Sequence, residues 1–142
     1  MDDRPRDDAG WLRYTFELAQ RSRKDGEHPF AAALVVREAV RRVPLEDLPS
    51  CTLYSSTEPC MMCAGAIAWS TIGTVVFGLS QVRLNEIPIA RPPRFAVPTR
   101  LAVLLSGVQP PIVIRGPLLE DESLAPHLGY WAPHAGSVEG RP

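Results

Sequence analysis

The sequence predicts a single α/β domain, and three observations carry that expectation. Short apolar runs bounded by Gly and Pro alternate with helical stretches; the length of 142 residues suits one hydrophobic core; and no internal repeat or low-complexity tract divides the chain. One domain over 1–142 is therefore expected, with 1–8 and 134–142 as loose tails. Fifteen Lys+Arg against sixteen Asp+Glu leave a net charge of −1, so no chain-wide pull toward nucleic acid or an anionic membrane is expected. No run approaches the roughly 18 apolar residues of a membrane span, and the start Met1-Asp2-Asp3-Arg4-Pro5 is polar where a secretory leader is basic and then apolar. A cytoplasmic location is the expectation.

Trp11, Tyr14, Thr15, Leu18 and Ala19 recur at helical spacing, with Asp7 and Asp8 before them and Arg21, Arg23, Lys24 and Gly26 after. Acid at the start and base at the end suit the helix dipole, so this is an amphipathic helix. Cys51-Thr52-Leu53-Tyr54-Ser55 reads as a strand, followed by a turn at Glu58-Pro59 and a helix of small residues from near Pro59 to Trp69. Thr74 to Gly78 and Pro111 to Arg115 read as two further buried strands, with helices expected over Thr99 to Leu105 and Glu120 to Leu128. Ten of the fifteen prolines lie from Pro88 onward, which predicts short elements joined by extended connectors. The strands and helices together predict a parallel or mixed sheet.

Residues 30–43 admit two readings. Phe30 to Val36 has the apolar run of a buried strand leading into a helix at Arg37, yet no Gly, Pro, Asn, Asp or Ser separates the two. Alternatively Ala32, Val35, Val36, Ala39, Val40 and Val43 fit one continuous helix, with Pro29 at a permitted first-turn position. The sequence leaves both open.

Three cysteines is an odd count, and Cys60 and Cys63 form a P-C-x-x-C that opens a helix after a strand. Helix N-terminal N–H groups favour thiolates, and one helical turn aims both sulfurs at a common point where Zn²⁺ could sit. Spacing alone does not separate a two-thiolate metal site from a redox pair or two buried small apolar residues.

Thr57-Glu58-Pro59-Cys60-Met61-Met62-Cys63-Ala64-Gly65-Ala66-Ile67, with His28-Pro29-Phe30 upstream, resembles the cytidine-deaminase superfamily, and within it the bacterial nucleoside, guanine, cytosine and tRNA-adenosine deaminases. Thr74 to Gly78 resembles that family's next strand, and Gly116 to Glu120 its C-terminal region. The resemblance implies a three-layer α/β/α sandwich around a mixed sheet and hydrolytic deamination of a purine or pyrimidine base or nucleoside. It makes Cys60 and Cys63 two of three zinc ligands, and places Phe30 and Ala31 against the base, with Tyr130-Trp131 over the mouth of the pocket. The family's H-x-E supplies the remaining ligand and the general acid/base.

That motif is missing. Histidines stand only at 28, 127 and 134, and two residues beyond them are Phe30, Gly129 and Gly136. Relative to the family, the chain passes from its first strand directly into the middle of the H-x-E helix near Val36-Arg37. A gap of about 30 residues, the scale of a βαβ unit, accounts for both the lost motif and the missing punctuation. The sandwich is thus expected to lack roughly one strand and the start of one helix. With two zinc ligands and no proton carrier, the resemblance implies little or no catalysis by this chain alone, since the metal must both hold water and lower its pKa to roughly 7. The other readings are a non-catalytic chain that pairs with itself or with an intact deaminase, and a thiol oxidoreductase. Glu58 is expected to brace the turn, Met61, Met62 and Trp69 to pack in the core, and Cys51 to be a buried small apolar residue.

Overall fold

Helix α1 (Asp8–Lys24) starts where the Asp7 side chain accepts a hydrogen bond from the Gly10 N–H at 2.8 Å, and it ends on Arg21, Arg23 and Lys24. The computed structural model describes residues 7–25, 33–87 and 99–130. The inward stripe of α1 is Leu12, Phe16 and Ala19, while Tyr14 and Leu18 are exposed. Of the expected stripe of Trp11, Tyr14, Thr15, Leu18 and Ala19, Ala19 is buried and Trp11 and Thr15 are half-buried, so the inward face is turned toward Leu12 and Phe16. Trp11 is held at the rim by stacking on the Tyr54 ring at 5.8 Å between centroids, which leaves Leu12 and Phe16 to face the sheet.

Helix α2 (Ala33–Arg42) settles the open segment for its described part: residues 33–36 are helical, so a strand running through Val36 is not formed. The helical spacing of Val36, Ala39 and Val43 prevails, because Val36 is buried and Val43 packs beside it. A 3₁₀ turn at Leu48–Ser50 leads to β1 (Thr52–Thr57), then α3 (Met61–Ser70), β2 (Thr74–Leu79) and α4 (Gln81–Glu86). After residue 98 follow α5 (Leu101–Leu104), β3 (Val113–Arg115), α6 (Glu120–Leu124) and a 3₁₀ turn at Ala125–His127. The expected C-terminal helix is thus α-helical for its first half and 3₁₀ after Leu124, where Pro126 removes a donor. Helix α4 was not anticipated; only Leu84 of its six residues is buried, so it leaves no apolar stripe in the sequence.

The described sheet has the order β1-β2-β3 with every pair parallel, Thr52 facing Thr74 and Thr74 facing Val113. Side-chain alternation sorts its two faces. Leu53, Val75, Phe77 and Ile114 join the cluster that includes Val36, Ala64, Ile67 and Leu101, so α2, α3 and α5 form one outer layer. Tyr54 and Val76 pack on Leu12 and Phe16, and Arg115 reaches Asp8 at 3.1 Å, so α1 covers the other face with α6 beside it. This is the expected three-layer sandwich. Gly78 is required where α1 crosses β2: a Cβ there would lie 2.6 Å from the Phe16 ring and 2.7 Å from the Ser56 carbonyl oxygen. Among the described residues no helix is long and apolar enough to cross a membrane.

One charged seam locks α1 to the sheet. The Tyr54 hydroxyl donates to Asp8 Oδ1 at 2.7 Å and Arg115 donates to Oδ2. The Tyr54 bond and the arginine hold the Asp8 carboxyl below the usual range, while burial and the adjacent carboxylate push the Tyr54 phenol up to about 12.

His127 lies fully buried at the far end of α1. Nearby, the Arg23 guanidinium donates to the Pro126 carbonyl at 3.1 Å and lies over the Tyr130 ring, 5.9 Å from its centroid. Burial, and then the charge of Arg23, push His127 down from 6.5 to about 4. The folded protein therefore keeps this imidazole neutral over a range where the unfolded chain protonates it. Its contribution is full above pH 6.5 and is lost as the pH falls from 6.5 to about 4, a loss of about 3 kcal/mol. Urea unfolding at pH 7 and pH 4.5 should show most of this drop, about 2 kcal/mol, and His127→Gln should flatten the slope between the two.

Candidate metal centre

The site is built at the junction of β1 and α3. The Glu58 N–H donates to the Leu79 carbonyl at 2.7 Å, continuing the β1–β2 pairing one residue beyond the strand. Pro59 then turns the chain, and Cys60 takes the extended N-cap conformation (φ −71°, ψ 176°) that opens α3. Its carbonyl accepts from the Ala64 N–H at 2.8 Å. The Cys60 thiol does not cap the helix and instead meets the thiol of Cys63, one turn on, with 3.7 Å between the sulfurs. Cys60 is exposed and Cys63 is buried.

That separation can be tested against zinc. Two thiolates about 2.3 Å from a tetrahedral ion lie about 3.8 Å apart. The pair therefore fits one edge of a tetrahedral zinc site. The rest of the set does not follow: among the described residues no group of three His, Cys, Asp or Glu is placed to hold a metal ion.

Glu58 stands next to the pair but is turned away from it. The side chain is buried, Oε2 accepts from the Gln81 N–H and Oε1 from the Leu101 N–H, each at 2.8 Å. Gln81 and Leu101 are the first residues of α4 and α5, so one carboxylate satisfies an orphan donor of each helix. The expected bracing role is present, and it reaches much farther than the turn. Helix α4 is fixed at the same end by the Ser80 side chain, which accepts from the Arg83 N–H, and by Glu120, which accepts from the Ser80 N–H at 2.9 Å.

Other expected positions depart from this centre. Cys51 precedes β1 at the end opposite Cys60, is half-buried, and donates to the Asp47 carbonyl at 3.5 Å. Met61, Met62 and Trp69 were expected in the core but are exposed, Trp69 to 91%; Cys63, Ala64, Ile67 and Ser70 take the inward face of α3. Tyr130 is buried beneath Arg23 on the α1 side of the sheet and does not cover the cysteine pair. His127 is on that side too. Phe30, Ala31 and Trp131, together with His28 and His134, lie outside the described residues.

Comparison with known proteins accords with this geometry. Residues 30–79 match the model of the cytidine and deoxycytidylate deaminase zinc-binding region. The "Probable cytosine deaminase" of Schizosaccharomyces pombe is 35% identical over 152 residues, covering 87% of this chain and 92% of its own length. A tRNA-specific adenosine deaminase of Buchnera aphidicola is 30% identical over 111 residues, 59% of this chain and 74% of that protein. The solved guanine deaminase of Nitrosomonas europaea shares the fold with a TM-score of 0.68 at 21% identity, over 85% of this chain and 82% of that one. The fold and the P-C-x-x-C centre thus define a deaminase-type sandwich. The chain belongs to the cytidine and deoxycytidylate deaminase zinc-binding family.

The alignments also carry a length difference. The first spans 152 positions but uses 87% of 142 residues, about 124, so about 28 of its positions face no residue here. The second spans 111 positions with 59% of the chain, about 84 residues, leaving about 27.

Removing the Glu58 clamp should be costly. Glu58→Ala deletes two charge-assisted hydrogen bonds, each worth about 1.5–3 kcal/mol, and leaves two helix N–H groups to find other partners. A loss of at least about 3 kcal/mol is expected in denaturant unfolding. Glu58→Gln, which keeps one acceptor oxygen, should lose about half as much.

Proposed function

We propose that this chain is a zinc-deaminase-family domain with an incomplete catalytic centre, which retains the two-thiolate edge at Cys60 and Cys63 and does not release ammonia by itself. The observation that carries this reading is the absence of any H-x-E from the sequence. The family reaction needs a third protein ligand to hold the metal with one position open for water, and a carboxylate to move protons between that water, the ring and the departing amine. His127 is buried on the α1 side, and both oxygens of Glu58 are bonded to backbone N–H groups. Neither is arranged to take over.

One observation supports a lost segment: the unmatched 27 or 28 positions of the relatives are close to the roughly 30 residues that a strand, a loop and a helix start would occupy. The substrate class that goes with the family, a nucleobase or nucleoside, belongs to the intact site.

A non-catalytic role as the partner of an intact deaminase is favoured by α3. None of its ten residues is charged, and it exposes Met61, Met62 and Trp69, with nothing within 4 Å of where a Gly65 Cβ would sit. Co-purification with an intact deaminase tests that role, and a chain that never associates with one removes it.

Purified protein should release no ammonia from guanine, cytosine, cytidine or guanosine above a blank, with zinc measured on the same sample. Turnover accompanied by one zinc per chain overturns the reading. So does turnover that disappears on chelation and returns with zinc.

A further inference from the structure

We propose that Cys60 and Cys63 form a dithiol–disulfide couple, in which the exposed Cys60 exchanges with a low-molecular-weight disulfide and the buried Cys63 closes the bond. This rests on the reading above that the centre is incomplete, because a completed metal site would hold both sulfurs as ligands.

The geometry of the first turn of α3 suits such a bond. The cysteines occupy its N-cap and N3 positions, with 3.7 Å between the sulfurs. These are the two positions whose side chains meet across a helix start, as in a capping box. Cα atoms three residues apart on a helical turn are separated by about 5 Å, inside the roughly 4.4–6.8 Å that a disulfide spans. An S–S bond of about 2.05 Å requires the sulfurs to approach by about 1.7 Å. Rotation of the Cys60 side chain supplies that approach, since its thiol makes no capping bond and is exposed. The backbone need not follow: Cys60 is already extended at φ −71°, ψ 176°, behind Pro59 and the Glu58 clamp on Leu79, Gln81 and Leu101.

Accessibility divides the roles. A soluble disulfide reaches Cys60, whereas Cys63 is buried and needs only the Cys60 sulfur beside it. The first turn of α3 has no acidic residue and both Glu58 oxygens are engaged by backbone N–H groups, so an anionic disulfide meets the positive end of the helix there. As a thiolate, Cys60 attacks one sulfur of RSSR, and the displaced RS⁻ takes up the Cys60 proton as RSH. Cys63, as a thiolate, then attacks the Cys60 sulfur of the mixed disulfide, and the second RS⁻ leaves with the Cys63 proton. Two protein thiols have lost two electrons to one disulfide, which becomes two thiols. Cys51 takes no part, lying at the opposite end of β1 with its thiol on the Asp47 carbonyl.

The full-length chain, freed of metal by a chelator and equilibrated with glutathione and glutathione disulfide at graded ratios, tests this by alkylation, mass spectrometry and peptide mapping. Free thiols should fall from three per chain to one in a single step, with Cys60 joined to Cys63, Cys51 alkylated throughout, and all three restored by dithiothreitol. In the reduced chain Cys60 should alkylate at least about tenfold faster than Cys63. Cys63→Ser should stop with one glutathionyl group on Cys60, and Cys60→Ser, which alters an exposed side chain, should leave Cys63 reduced. If circular dichroism shows Cys63→Ser unfolded, the thiol count of the parent and Cys60→Ser decide between them. Absence of a Cys60–Cys63 disulfide at the most oxidising ratio, a disulfide to Cys51 or between chains, or glutathionylation of Cys63 in Cys60→Ser each overturns the proposal. Ammonia release separates the two readings: an inactive chain without a reversible couple removes only the couple, whereas zinc-dependent turnover removes the incomplete centre on which both stand.

Discussion

A single buried carboxylate holds this fold in register around its cysteine pair. Glu58 leaves β1 with its backbone N–H on Leu79 and its two oxygens on the first residues of α4 and α5, so a strand end and two helix starts converge on one residue. Cys60 lies two positions further on, after a proline whose fixed φ leaves the turn little freedom. The direction in which α3 departs, and therefore where its two sulfurs point, follows from that convergence. Helices of six and four residues are too short to be stable alone, and α4 and α5 persist because their N-termini are anchored here.

The two faces of the sheet carry different kinds of interaction. On the α3 side an apolar cluster runs from Val36 and Leu48 through Ile67, Val75 and Phe77 to Leu101, with the buried Glu58 carboxylate on the Leu101 N–H. On the α1 side a smaller apolar cluster is joined by directional contacts: Tyr54 and Arg115 on Asp8, Arg13 on Glu122 at 2.8 Å, and Arg23 on the Pro126 carbonyl. The apolar side positions the cysteine helix by close packing, which tolerates little change in volume. On the polar side, α1 and the C-terminal segment are held by groups whose strength depends on protonation, as the depressed His127 shows. Acid therefore weakens the face that lies away from the sulfurs.

Much of this was legible because it rests on local chemistry. Asp7 ahead of α1, a Pro-Cys opening for α3 and the apolar run at 74–78 each state their own conformation within a few residues, whereas the run at 111–115, expected as a buried strand, pairs only over Val113–Arg115, with Val113 exposed and Ile114 half-buried. What was not legible depends on partners remote in sequence. Glu58 could be assigned to bracing, but nothing in Thr57-Glu58-Pro59 names donors 23 and 43 residues away. The helical spacing of α1 finds Ala19 but not Leu12 or Phe16, because Trp11 takes an aromatic partner, Tyr54, on another element and stays at the rim. Trp69 was placed in the core on size and apolarity, yet the small residues of α3 pack inward and leave the indole outside. The continuous helix over 33–42 was visible in the spacing but stood level with a strand, since an apolar run of that length supports both.

A catalytic zinc site asks for more than the cysteine pair that this chain holds at the start of α3. Catalysis needs an open coordination position and a carboxylate beside it, and both depend on groups brought in from a second helix. Affinity depends chiefly on donors, and Cys60 and Cys63 come from one turn of one helix whose orientation is set by Glu58. The spacing of the sulfurs is therefore set at the β1–α3 junction, by Pro59, the first turn of α3 and the Glu58 clamp, and it does not depend on which groups complete the centre.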